Sequence, residues 1–129
     1  MTVPLYYMTG SEIAQALHRR ELSSVELTEA HLERIGEVEP RLGAFLTVTS
    51  ELALEQARAA DMRFTQGTAG PLTGIPMQLK DNISTEGVNT TCGSTMLANY
   101  VPPYDATVAR KLKEAGTVLL GKGNMDEFA

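Results

Sequence analysis

Residues 70–83 leave the backbone few choices. The run Gly70-Pro71-Leu72-Thr73-Gly74-Ile75-Pro76-Met77-Gln78-Leu79-Lys80-Asp81-Asn82-Ile83 opens with two Gly/Pro breaks, which stop any helix, and then turns apolar. Side chains alternate along an extended chain, so Ile75, Met77 and Leu79 share one face while Gln78 and Lys80 share the other. Pro76 falls on Lys80's side and cannot donate to a β-ladder, which predicts the first residues of a strand or an edge strand. Asp81-Asn82 favours a turn, placing Lys80 at the end of the strand, where loops and reactive groups meet. Lysine is ordinarily solvent-facing, so this geometry alone does not give Lys80 a role.

The flanking sequence alternates helix and strand signals. Thr9 with Glu12 forms a capping-box pattern, and Ile13 and Leu17 lie one turn apart, predicting an amphipathic helix over residues 10–20. Ser23 with Glu26 repeats the cap, and Val25, Leu32 and Ile35 make the stripe of a second helix, which Pro40 is expected to end. Residues 44–49 are rich in aromatic and β-branched types and predict a short strand. Ser50 is expected to cap a third helix over 51–66, dense in alanine and stopped by Gly67. Residues 84–104, with Gly87, Gly93 and Pro102-Pro103, predict a long functional loop. Asp105 is expected to cap a helix running to about Ala115, with Val108, Leu112 and Ala115 on one face and Gly116 past its end. The apolar run Thr117–Leu120 then predicts a buried strand. Helix followed by strand near both ends argues for an α/β fold.

The 129 residues are 43% hydrophobic and 21% charged, a composition that builds a core. Eleven basic against sixteen acidic residues give a net charge of −5, the wrong sign for a surface that must neutralise many phosphates, so direct nucleic-acid binding is not expected. The first eight residues lack a basic region and a long apolar run, and no stretch approaches the ~18 apolar residues of a membrane span. A soluble, cytosolic protein is therefore expected. With one cysteine there is no internal disulfide, and the acceptor-like triplets at Asn82 and Asn89 read as chance matches without a secretory context.

Other chemistries fail on particular residues. Gly116–Lys122 fits the first seven positions of a phosphate-loop pattern, but Gly123 stands where a Ser/Thr would hold Mg²⁺ and the middle is an apolar strand. Lys122 is accordingly read as structural or loop-positioning. Cys92 would need a histidine base, and His18 and His31 both sit on amphipathic helices, so Cys92 is read as a small packing residue. Asp81, Asp126 and Glu127 lack metal-ligand spacing and are expected to be solvated or capping, with Asn124 and Glu127 forming another capping box.

Three segments together carry a resemblance: Gly74-Ile-Pro-Met-Gln-Leu-Lys-Asp-Asn-Ile83, Thr90-Thr-Cys-Gly-Ser94 and Gly121-Lys-Gly-Asn-Met-Asp-Glu-Phe-Ala129. Across nearly its whole length the chain resembles the amidase signature family. The resemblance implies a mixed sheet covered by helices, of which residues 1–129 would be the incomplete N-terminal part of a single catalytic domain. It implies that Lys80 is catalytic, acting as base toward a bridging serine that activates a nucleophilic serine, both serines lying beyond Ala129. Such a lysine must be neutral, and moving it from about 10.4 to about 7 takes roughly 4–5 kcal/mol of environment, which desolvation and nearby cations can supply. The segment alone is therefore expected to be inactive.

Within the family, Tyr100–Thr107 and Asn124–Ala129 are most similar to the glutaminase subunits of Glu-tRNA(Gln) amidotransferases. That implies B and C subunits as partners in a heterotrimer, glutamine as substrate, and Glu-tRNA(Gln) handled through a partner subunit. The complex would use ATP and Mg through that partner, with no cofactor or metal bound by this segment. The location implied is the cytoplasm or an organellar matrix, with no membrane partner. A stand-alone amidase of the same family is the near alternative. The distant one is a complete, non-catalytic interaction module that docks through its first two helices.

Overall fold

The computed structural model describes residues 3–129. Four helices, α1 (Gly10–His18), α2 (Ser24–Leu42), α3 (Ser50–Gln66) and α4 (Thr107–Glu114), combine with three strands, β1 (Phe45–Val48), β2 (Pro76–Lys80) and β3 (Val118–Gly123). The strands form one sheet in the order β1-β3-β2, with β3 antiparallel to β1 and parallel to β2. The α/β class with a mixed sheet is thus as expected. Central β3 is buried along its whole length, as its apolar start requires.

Both expected capping boxes form. Thr9 and Ser23 accept from the N–H groups of Glu12 and Glu26, whose carboxylates reach back to the cap residues. The returning backbone N–H bonds, followed by the hydroxyl bonds, hold both carboxyls below the usual glutamate range. Ile13, Leu17, Leu27 and Phe64 close a core between α1, α2 and α3. A second core sets Ala53 and Ala57 of α3 against Val118 and Leu120, with Val25, Leu32 and Ile35 of α2 packed around it. A third joins Leu79, Leu119 and Ala109, which brings α4 onto β2 and β3.

Several boundaries differ from the sequence expectation. Pro40 does not end α2, which continues to Leu42 and stops at Gly43, in the left-handed region at φ +61°. Proline this close to a helix end removes only one ladder bond, and the Glu39 carboxylate holds the turn in place by accepting the Phe45 N–H at 2.7 Å. Ser50 is the first residue of α3 and Thr49 is its cap position, but the Thr49 hydroxyl donates to the Leu119 carbonyl at 2.7 Å instead of capping. Asp105 is likewise not a cap: Ala106 holds that position, and Asp105 accepts the Glu86 N–H at 2.8 Å and faces Lys113 at 3.7 Å. The α4 face is rotated, with Ala109 buried and Val108 exposed. Asn124 and Glu127 cap no helix, since residues 124–129 contain none.

β3 also runs three residues past its apolar stretch, through Gly121, Lys122 and Gly123. A side chain at Gly121 would put Cβ 2.2 Å from the Thr47 carbonyl oxygen, so only glycine lets β1 approach here. The parallel strands β2 and β3 end side by side, with Leu79 opposite Lys122 and Lys80 opposite Gly123. The carboxyl ends of parallel strands are where open α/β sheets place their ligand sites.

Candidate functional site at the ends of two parallel strands

Lys80 is the last residue of β2 and is exposed. Its backbone is held on both sides: the Asp81 N–H donates to the Gly123 carbonyl at 3.1 Å, and the Ile83 N–H closes a turn onto the Lys80 carbonyl at 3.0 Å. Gln78, on the same face, lies across Gly123, where a Cβ would come within 2.9 Å of the Gln78 side chain. Its amide donates to the Ala44 carbonyl at 3.1 Å, tying β2 across β3 to the start of β1. Among the described residues the Lys80 ammonium has no ion-pair partner. A lysine with a held backbone and an exposed side chain can meet a reacting group brought to it.

The other lysine is enclosed. Lys122 pairs with Leu79 in the ladder and so points to the face opposite Lys80. It is fully buried. Its ammonium donates to the Ile83 carbonyl at 2.8 Å and to the Thr90 hydroxyl at 2.9 Å, and lies 3.5 Å from Asp81 Oδ1. Burial pushes the Lys122 amine below its ordinary value, and the Asp81 carboxylate partly opposes that push. The structural reading of Lys122 agrees with this geometry.

The sequence predicts a solvated or capping Asp81, and here the structure corrects it: the residue is fully buried. Oδ2 accepts both the N–H and the hydroxyl of Thr91. Oδ1 accepts no hydrogen bond, which leaves the Lys122 charge as its compensation. At 3.5 Å this contact is an ion pair rather than a well-formed hydrogen bond. The Lys-Asp dipeptide therefore sends two adjacent charges to opposite environments. A signal was present in the sequence, a lysine between two glycines at the end of a buried strand, but its partner could not be named without the fold.

The 90–94 loop packs over this cluster. The Cys92 N–H donates to the Asp81 carbonyl at 2.9 Å, and the Cys92 carbonyl accepts from Phe128 at 2.9 Å. Gly93 lies so close to the exit of β3 that a Cβ would meet the Met125 carbonyl oxygen at 2.7 Å. Ser94 donates to the Glu127 carboxylate at 2.7 Å, which gives that residue its partner. His18 and His31 bond through Nδ1 to carbonyls of their own helices, Ala14 and Leu27, and among the described residues neither is hydrogen-bonded to Cys92. Cys92 is half-buried and held by its backbone, consistent with packing. Residues 116–123 form the turn into β3 and the strand itself rather than a phosphate cradle opening a helix. Ile13 and Leu17 of α1 and Leu27 at the start of α2 are spent on the core, whereas Leu42 at the end of α2 is exposed.

Comparison with known proteins agrees with the fold. The sequence profile of the family described as Amidase matches residues 26–129. The A subunit of glutamyl-tRNA(Gln) amidotransferase from Moorella thermoacetica is 60% identical over 126 residues, covering 97% of this chain and 26% of that protein. The protein of the same name from Methylococcus capsulatus is 57% identical over 125 residues, again covering 97% of this chain and 26% of its own length. Among solved structures, native peptide amidase from Stenotrophomonas maltophilia superposes with a TM-score of 0.91 at 37% identity, covering 98% of this chain and 26% of that one. An amidase family protein from Bacillus anthracis does so with a TM-score of 0.88 at 32% identity, covering 97% and 25%. The chain spans about a quarter of the length of the curated relatives it matches.

Proposed function

As this chain belongs to the amidase family, we propose that the full-length protein carrying it hydrolyses the side-chain amide of glutamine and supplies the ammonia to a Glu-tRNA(Gln) amidotransferase. The observation that carries this reading is the 60% identity, over 97% of the chain, to a protein named as the A subunit of that amidotransferase. Lys80 is the proposed base. In neutral form it accepts the proton of a bridging serine, which accepts the proton of a nucleophilic serine as that oxygen attacks the amide carbon. The C–N bond then breaks, ammonia leaves with the relayed proton, and water releases glutamate from the acyl-enzyme. Both serines belong to segments outside residues 1–129. Lys80's placement supports this role: its backbone is held by the bond from Asp81 to Gly123, while the residue is exposed to whatever packs on the strand ends.

The tRNA, ATP and Mg chemistry is assigned to the partner B and C subunits. An excess of sixteen acidic over eleven basic residues supports leaving the nucleic acid to them. Residues 1–129, holding a base without its nucleophile, are inactive alone in this reading. One observation favours a second reading, a stand-alone amidase: the 37% identity to a peptide amidase at a TM-score of 0.91.

Substrate choice separates the two. The full-length protein, purified with and without partner subunits, is assayed for ammonia release from glutamine and from peptide amides. Glutamine turnover that rises with the partners, together with Glu-tRNA(Gln) amidation, supports the amidotransferase. Efficient peptide-amide hydrolysis by the lone protein, unaffected by partners, supports the amidase.

A further inference from the structure

Lys122 cannot be the base, because an amine enclosed by Ile83, Thr90 and Asp81 has no route to a substrate. Nor is a buried ion pair an efficient way to stabilise a fold, since well-packed apolar residues often do as well or better. The pair's location suggests another use. Asp81 is the next residue after Lys80, and its carboxylate would stand in the interior as an isolated negative charge if Lys122 were absent. Such a charge, one residue along the chain, would stabilise protonated Lys80.

We propose that Lys122 is a positioning residue for Lys80, pinning the 81–83 turn through Ile83 and Thr90 and cancelling the Asp81 charge beside the base. This rests on Lys80 being the base. The ammonium spans three segments at once, the end of β3, the turn after β2 and the loop at Thr90. The turn it grips is closed by the Ile83 N–H on the Lys80 carbonyl. The titratable groups facing Lys122 are Asp81 and the Cys92 thiol. Glu127, tied to the same loop by Ser94, remains in every variant below.

Altering the charges one at a time should move the reaction in opposite directions. Lys122→Met leaves Asp81 uncompensated, and the acidic limb of kcat/KM for glutamine hydrolysis moves to higher pH. Asp81→Asn leaves the Lys122 ammonium uncompensated, and the limb moves to lower pH. Each displacement is expected to be about half a pH unit for a charge on the neighbouring residue. The double variant Lys122→Met/Asp81→Asn returns the limb to its original position, while kcat stays lower because the turn has lost its pin.

The test uses the full-length protein with its partners, and thermal melts correct each rate for folded protein. Should Lys122→Met fail to fold, Asp81→Asn and the double variant decide the question. Limbs that stay in place, or move the same way in both single variants, overturn the proposal and leave Lys122 a structural residue. Lys80→Ala is the control: if it keeps its activity, the assigned base falls and this inference falls with it. Unmoved limbs beside an inactive Lys80→Ala overturn the inference alone.

Discussion

The ends of β2 and β3 lie side by side and each carries a lysine, yet the two lysines do opposite things. Lys80 has a held backbone and an exposed head; Lys122 has a fully buried head with an oxygen from each of three neighbours. A one-residue offset across a parallel ladder produces the difference. Lys80 pairs with Gly123 and shares its face, while Lys122 pairs with Leu79 and faces the interior. Access, rather than residue type, separates the candidate reagent from the candidate support.

The sharpest way to break that contrast is Lys80→Ala in the full-length protein. Glutamine-dependent kcat/KM should fall at least about 10³-fold, because members of a proton relay act as a unit, while the melting temperature changes little. A severe loss of stability would instead mark Lys80 as a second structural lysine. Lys122→Met should show the converse, a stability loss of about 3–5 kcal/mol in denaturant unfolding, because it strands the buried Asp81 carboxylate.

pH sharpens the same comparison. Lys122's folded-state value is lowered by burial, so the unfolded chain holds a proton that the folded chain gives up more readily. Stability should therefore rise with pH between that lowered value and the ordinary lysine value near 10.4, a slope that Lys122→Met removes. Chemical denaturation across that range measures it.

Smaller effects belong to residues outside the pair. Cys92→Ser should lower turnover less than about tenfold, the size of a packing defect; a thousands-fold loss with intact folding would make the thiol a reagent. Ser23→Ala removes an α2 cap and should cost about 1 kcal/mol, with turnover per folded molecule unchanged. The capping carboxyls of Glu12 and Glu26 have lowered values, so their contribution is full above the ordinary glutamate range and is lost as pH falls through the lowered values. Acid titration of the melting temperature, with and without Ser23→Ala, checks that direction.

What was legible in the sequence was what local chemistry decides. Thr9-x-x-Glu12 and Ser23-x-x-Glu26 announced two helix starts, Gly67 a helix stop, and the Pro76–Lys80 alternation a strand with lysine at its end. Long-range partners decided the rest. Thr49 and Asp105 look like local caps, but their side chains are taken by Leu119, and by Glu86 and Lys113, from distant segments. Asp81 reads as a turn residue until the fold brings Thr91 and Lys122 to it. Pro40 reads as a stop until Glu39 and Gly43 hold the helix end around it. Lys80's position was visible because a strand and a turn set it, whereas the Lys122–Asp81 contact was hidden because it is tertiary.

The most direct test of Lys80 as a base is Lys80→Arg, with glutamine and then external ammonia as nitrogen donor for Glu-tRNA(Gln) amidation by the full complex. Arginine keeps the positive charge and much of the length but stays protonated, so it donates hydrogen bonds and cannot accept a serine proton. The account predicts that Lys80→Arg is nearly as damaging as Lys80→Ala with glutamine, while ammonia-dependent amidation persists in both. Near-normal glutamine-dependent turnover by Lys80→Arg would contradict it and make Lys80 an electrostatic or structural cation.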